Sequence, residues 1–229
     1  MKVCEIFKSI EGEGLRTGLA AVFVRLHGCN LRCSYCDSMY SVEGNDYRQM
    51  NLNEILDAVK TFGVRAVTLT GGEPLLHADV GELLQKLSEC GYLVNVETNG
   101  TVPCKWRYPG LFYTMDWKCE SSGMSAKMRI ENLATLEADD VLKFVVGTVD
   151  DLRETVAVVD ELSRVKSREA TTPDSVRTMP HIFVSPVFGK LEYQKIVEWM
   201  LSEQTMVLNN ARFQVQLHKV VWDPDLRGV

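Results

Sequence analysis

Gly28-Cys29-Asn30-Leu31-Arg32-Cys33-Ser34-Tyr35-Cys36-Asp37-Ser38-Met39-Tyr40 is the stretch on which the reading of this 229-residue chain turns. Its three cysteines are spaced C-x-x-x-C-x-x-C. A closed structural zinc site needs four ligands. No second cysteine pair follows at zinc spacing: Cys90 and Cys104 stand too far apart, and no later C-x-x-C or H-x-x-x-H occurs. A 4Fe-4S cluster takes one thiolate per iron. Three thiolates on one tight loop leave one iron open to a ligand, which suits chemistry rather than electron carriage alone.

Upstream, Ala20 to Leu26 reads as a buried strand feeding straight into the cysteine loop. Val3 to Phe7 suggests a short strand before a glycine-punctuated turn over residues 9–14. Downstream, strands are expected over Arg65–Thr70, Leu93–Glu97, Leu111–Met115, Val141–Val146, Pro180–Val184 and Arg212–Leu217. Helices are expected from an Asn51 or Asn53 cap to Thr61, over Asp79–Cys90, Asp150–Leu162 and Leu191–Leu201. Ser167 to Thr178 is polar and reads as a loop. Strand, loop and helix repeat, which implies an α/β fold with a parallel sheet and outer helices. About six core parallel strands are too few for a closed eight-stranded barrel, so an open, partial β/α barrel in a single domain, residues 1–229, is expected. In such folds the site lies beyond the carboxyl ends of the strands. Those ends carry the cysteine loop, Thr70-Gly71-Gly72-Glu73, Glu97-Thr98-Asn99, Asp116-Trp117-Lys118, Ser185-Pro186 and His218, all on one rim.

The composition is that of a globular domain, 45% hydrophobic and 24% charged, and the net charge of −6 with no long basic run argues against direct nucleic-acid binding. No apolar run approaches the about 18 residues of a membrane helix. The first residues, M-K-V-C-E-I-F-K, lack an apolar signal core. A cytoplasmic location is expected, where cysteines serve as thiols or metal ligands. Cys4, Cys90, Cys104 and Cys119 show no partner spacing and read as small buried hydrophobes.

The cysteine spacing, with Tyr35 just before the last Cys, resembles the cluster motif of radical S-adenosylmethionine (SAM) enzymes. Thr70-Gly71-Gly72-Glu73-Pro74 after a strand strengthens the likeness, since glycines allow close backbone approach and Glu73 accepts from an ammonium group. Glu5-Ile6-Phe7-x-Ser9-Ile10-Glu11-Gly12-Glu13-Gly14, Arg25, Cys36-Asp37-Ser38 and the Cys119–Met128 run narrow it to the 7-carboxy-7-deazaguanine synthases, over nearly the whole chain. The resemblance implies a 4Fe-4S cluster on Cys29, Cys33 and Cys36. It implies SAM held near Gly72, Glu73, Glu97, Asp116, Trp117, Lys118, Ser185, Pro186, Val187 and Phe188. It also implies a carboxylated tetrahydropterin held by Ile10, Glu11, Gly12, Glu13, Arg25, Thr70 and His218, and Mg²⁺ on Ser38. Glu11 stands where the family commonly has Gln, and Ser38 where it commonly has Thr. The final carboxylate of Val229 is also expected to reach the pocket.

The implied reaction opens with hydrogen abstraction by a 5′-deoxyadenosyl radical. Ring contraction and loss of ammonia follow, with SAM regenerated. A flavodoxin or ferredoxin donor and a homodimer are implied as well. Two other readings stand beside this one. An activating enzyme that places a glycyl radical on a partner protein shares the cysteine spacing. A non-enzymatic iron–sulfur or zinc protein would leave Glu73, Lys118 and the glycines idle.

Overall fold

The structure, a computed structural model, describes residues 1–169, 179–202 and 210–229. In chain order its elements are β1 (Lys2–Ile10), β2 (Ala20–Leu26), α1 (Met39–Val42), β3 (Arg48–Gln49), α2 (Leu52–Lys60), β4 (Ala66–Gly71), α3 (Val80–Glu89) and β5 (Leu93–Thr98). Then come β6 (Leu111–Trp117), α4 (Ile130–Leu133), β7 (Val141–Val146), α5 (Val149–Glu169), β8 (His181–Pro186), α6 (Tyr193–Met200), β9 (Arg212–Phe213) and α7 (His218–Val221). The strands form one sheet in the order β3-β1-β2-β4-β5-β6-β7-β8-β9. From β2 through β9 the pairs are parallel, and β1 and β3 add an antiparallel edge. The parallel strands follow chain order without reversal, so each crossover steps the same way and the sheet curls into an open barrel.

Side chains alternate between the sheet's faces with period two. Val22, Val24 and Leu26, Val67 and Leu69, Val94 and Val96, Leu142 and Phe144, and Ile182 and Val184 join one apolar cluster with Ile55, Leu83, Leu84, Leu162 and Ile196 of the outer helices. The intervening positions are mostly polar, Arg25, Thr68, Thr70, Asn95, Glu97, Thr114, Asp116, Lys143 and Ser185, with Phe23, Phe112, Val145 and Phe183 among them. A parallel sheet is ordinarily apolar on both faces; this one turns a polar face inward.

Several element boundaries differ from expectation. β1 runs on to Ile10 because its ladder with β2 continues to the pair Ile10 and Ala20. β6 reaches Trp117, because its ladder with β7 continues to Phe144. α5 runs to Glu169; its start is fixed by Asp151, whose carboxylate accepts from Gly147 N and Thr148 N. The rest of the loop expected there, residues 170–178, lies outside the described residues. β9 stops at Phe213, since Leu217 N bonds to Gly12 O rather than to β8, and His218 then opens α7 instead of ending a strand. Cys104 and Cys119 are buried as expected, but Cys90 is exposed at the end of α3 and Cys4 only half-buried. No helix among the described residues is long and apolar enough to cross a membrane.

Candidate active site

The cysteine loop leaves β2 and rests on the glycine pair that ends β4. Gly72 N donates to Leu26 O (3.0 Å) and Glu73 N to Gly28 O (2.8 Å). A Cβ on Gly71 would lie 2.1 Å from Leu26 O, at a φ of +134°, and one on Gly72 would lie 2.1 Å from Gly28 O. The glycines thus admit the backbone of the cysteine loop. Glu73 is fully buried; it accepts from Leu75 N (3.0 Å), Thr98 Oγ1 (2.8 Å) and Asn99 N (2.6 Å). Burial pushes its carboxyl up to about 7, against those donors. Its carboxylate fixes Thr98-Asn99, and the Asn99 amide then reaches Asn30 Oδ1 (3.0 Å) and Cys29 Sγ (3.5 Å).

Cys29, Cys33 and Cys36 are half-buried and line a cavity of about 570 Å³. Burial pushes the Cys33 and Cys36 thiols up, while Lys118 pulls them down. Among the described residues, the only His, Cys, Asp or Glu ligand atoms gathered three together within 4.8 Å are those of Cys119, Asp151 and Glu154. The carboxylates of that trio are already taken up by backbone and indole N–H groups. The three loop sulfurs do not all lie within 4.8 Å of one another, whereas one tetrahedral zinc holds two thiolates about 3.8 Å apart. Three thiols on one loop, with N–H donors on Cys29 Sγ, fit a polynuclear cluster.

The inward face of the sheet forms the cavity's charged wall. Arg25 donates from Nε to Glu5 Oε1 (2.7 Å), the same oxygen that takes the Tyr40 hydroxyl (2.7 Å). Thr68 donates to Glu11, and Thr70 to Glu97 Oε2 (2.7 Å). Burial, reinforced by Glu97, pushes the Glu11 carboxyl up to about 7. Burial also raises Glu97, with Lys143 opposing. Lys143 Nζ lies 2.5 Å from Glu13 Oε2 and 3.0 Å from Asp116 Oδ1, and Lys118 Nζ lies 2.8 Å from Asp116 Oδ2. Burial opposes ionisation of Asp116, but the two lysines outweigh it and hold the carboxyl below its usual range. At the mouth, Asp37 bonds Lys219 (2.7 Å) and accepts from Ser38 Oγ (2.9 Å). Burial raises its carboxyl, but Lys219 brings it down to about 2.

Of the residues singled out in the sequence, the three cysteines, Ser38, Ile10, Glu11, Gly12, Glu13, Arg25, Thr70, Gly72, Glu97, Asp116, Lys118, Val187, Phe188 and His218 line this one cavity, as does Val229. Four do not. Glu73 lies behind the wall, turned to backbone donors. Trp117 points outward to Glu154, its Nε1 donating at 2.8 Å. Ser185 and Pro186 stay in the β8 ladder and are fully or nearly fully buried. Gly12 is needed for contact: a Cβ there would lie 2.3 Å from His218 Nδ1. Lys143 was not found from sequence; its only signal there is a single charge at an inward position of an otherwise apolar strand.

Residues 23–107 match the Radical SAM superfamily. The chain is 40% identical to the 7-carboxy-7-deazaguanine synthase of Clostridium acetobutylicum, over 100% of this chain and 99% of that protein. It is also 40% identical to the protein of that name from Methanospirillum hungatei, over 98% of this chain and 86% of the relative. The crystal structure of QueE from Escherichia coli shares the fold, with a TM-score of 0.72 over 95% of this chain and 94% of that one, at 23% identity.

Proposed function

The chain belongs to the 7-carboxy-7-deazaguanine synthase family of radical SAM enzymes, and from that membership we infer that it is a carbon–nitrogen lyase making 7-carboxy-7-deazaguanine from 6-carboxy-5,6,7,8-tetrahydropterin with loss of ammonia, in queuosine biosynthesis. The observation that carries this reading is the meeting of the cysteine loop and the polar wall in one cavity. When bound, a 4Fe-4S cluster and SAM supply one-electron hydrogen abstraction from carbon.

The remaining work belongs to this chain. Cys29, Cys33 and Cys36 hold the cluster. Gly72, Glu97, Asp116, Lys118, Val187 and Phe188 surround SAM, with Glu73 acting through Asn99. Arg25, its Nε already on Glu5, presents its terminal nitrogens to the substrate carboxylate. Glu11, Glu13, Thr70, His218 and the backbone at Ile10 and Gly12 hold the pterin ring. Thr70 donates to Glu97 Oε2 and burial raises the Glu97 carboxyl, with Lys143 opposing, so Glu97 is a group able to move a proton in the reaction. Ser38, whose hydroxyl donates to Asp37 Oδ1, would offer its oxygen lone pair to Mg²⁺. We further propose a cytoplasmic homodimer reduced by a flavodoxin or ferredoxin, with Leu201, Val220 and Val221 as exposed apolar surface.

An activating enzyme acting on a partner protein is not favoured, because full-length identity runs to the small-molecule family. Anaerobic, reduced, cluster-loaded protein given SAM and the carboxypterin is expected to yield the deazaguanine and ammonia in equal amounts. Return of the pterin unchanged would sink the assignment.

A further inference from the structure

Lys143 has no role in the reading above, yet the acids of the cavity converge on it. Its side chain, 6% exposed, stands mid-strand in β7, directly across the ladder from Asp116. The ammonium contacts Glu13 Oε2 and Asp116 Oδ1, and the second oxygen of Asp116 contacts Lys118. The second oxygen of Glu13, Oε1, is buried without a hydrogen-bond partner among the described residues, in a side chain that lines the cavity. Leaving a buried acceptor unmade is costly. A buried ion pair is also weak evidence for a stabilising role, since well-packed apolar residues often replace one at no loss. An ammonium that fixes one carboxylate oxygen and leaves its twin bare therefore makes sense as the support for a ligand-facing acceptor.

We infer that Lys143 is a positioning residue: it holds Glu13 so that Oε1 accepts from an N–H of the pterin ring, and it holds Asp116 against Lys118 on the SAM side. The inference rests on the carboxypterin reading of the cavity. The charged groups facing this ammonium and its acids are Glu11, Glu13 and Arg16 from the segment after β1, Glu97 from β5, Asp116 and Lys118 at the end of β6, Arg25 from β2 and His218 from α7, with Asp37 and Lys219 beside His218. Without the ammonium, four carboxylates face one another with fewer cations, and a proton replaces the lost charge. The loss of substrate affinity relative to wild type then depends on pH, which a purely structural lysine would not cause.

The test is pterin affinity by anaerobic calorimetry on cluster-loaded wild type, Glu13→Gln, Lys143→Met and the double variant, at pH 6.5 and 8.5. Each single change is expected to weaken binding by about tenfold or more, and the double change no further than Glu13→Gln alone. The Lys143→Met loss shrinks at pH 8.5. Losses that multiply in the double variant, wild-type affinity in Lys143→Met, or a loss independent of pH would overturn the inference. Should iron content show that Lys143→Met does not fold, Lys143→Gln takes its place in the same cycle. Wild-type protein that does not bind the pterin would overturn the functional reading, and this inference with it.

Discussion

Among the described residues, Arg25 is tethered at one edge only. Glu5 takes its Nε, the Tyr40 and Phe7 rings lie 5.9 and 6.0 Å from its guanidinium carbon, and the remaining nitrogens are left for an anion. Replacing it with alanine removes the anion clamp and leaves Glu5 without its cation. Arg25→Ala should weaken pterin binding by about 2–5 kcal/mol while iron content and SAM affinity stay unchanged. Calorimetry checks this, and normal pterin affinity would misplace the substrate. Glu11 gives a second prediction. Its carboxyl sits at about 7 folded against 4.5 ordinarily, so between those values the folded chain keeps a proton that the unfolded chain has lost. Stability contributed by that group is full below pH 4.5 and falls as pH rises towards 7. Glu11→Gln keeps the acceptor for Thr68 and removes the titration. Its melting temperature relative to wild type should be higher at pH 8 than at pH 5, and an equal offset at both would contradict the shift. Cysteines, Arg25 and Glu13 were legible because their types and positions sit in motifs. Lys143 was not, because Asp116 meets it only through strand register and Glu13 only through the folding of the loop after β1 onto β7. Glu73 was legible as a residue but not in direction: backbone N–H groups outcompete the cavity for its carboxylate.

At the scale of elements, the contact that matters most is the one between the turn after β4 and the loop after β2. The backbone of the loop after β2 lies where side chains on Gly71 and Gly72 would be. Gly72→Ala would drive a Cβ into Gly28 O, and backbone cannot yield as a flexible side chain can. The variant should lose most of its iron on reconstitution and unfold at lower temperature; full iron loading would show that the loop has slack. Asn51→Ala makes a control on the outer layer. It breaks the capping box with Glu54 and should cost about 1 kcal/mol, with no change in iron content. This cap, the glycine stops and the central strands were readable because each depends on neighbours in sequence. The ends of β1 and β9 were not, since both are decided by pairing with distant segments: β1 continues as long as Ala20 is opposite, and β9 ends where Leu217 turns to Gly12.

For the whole molecule, a parallel sheet wound in one direction puts its apolar side chains outward under the helices and its charged ones inward. The open barrel followed from the repeating strand–helix pattern; about six core parallel strands were expected, and the parallel run has seven among the described residues, β2 and β4 to β9. The antiparallel edge of β1 and β3 did not, because a two-residue strand carries almost no pattern. With the cavity walled by charge and opened at the cysteine loop, the account stands or falls on what those thiols hold. Its most direct measurement is iron and sulfide per chain after anaerobic reconstitution, with electron paramagnetic resonance of the reduced protein with and without SAM. We predict about four irons and four sulfides per chain, loss of both in Cys29→Ala, Cys33→Ala or Cys36→Ala, and a spectrum that changes when SAM is added. Zinc in place of iron, or a cluster spectrum indifferent to SAM because a fourth protein ligand caps it, would contradict the account.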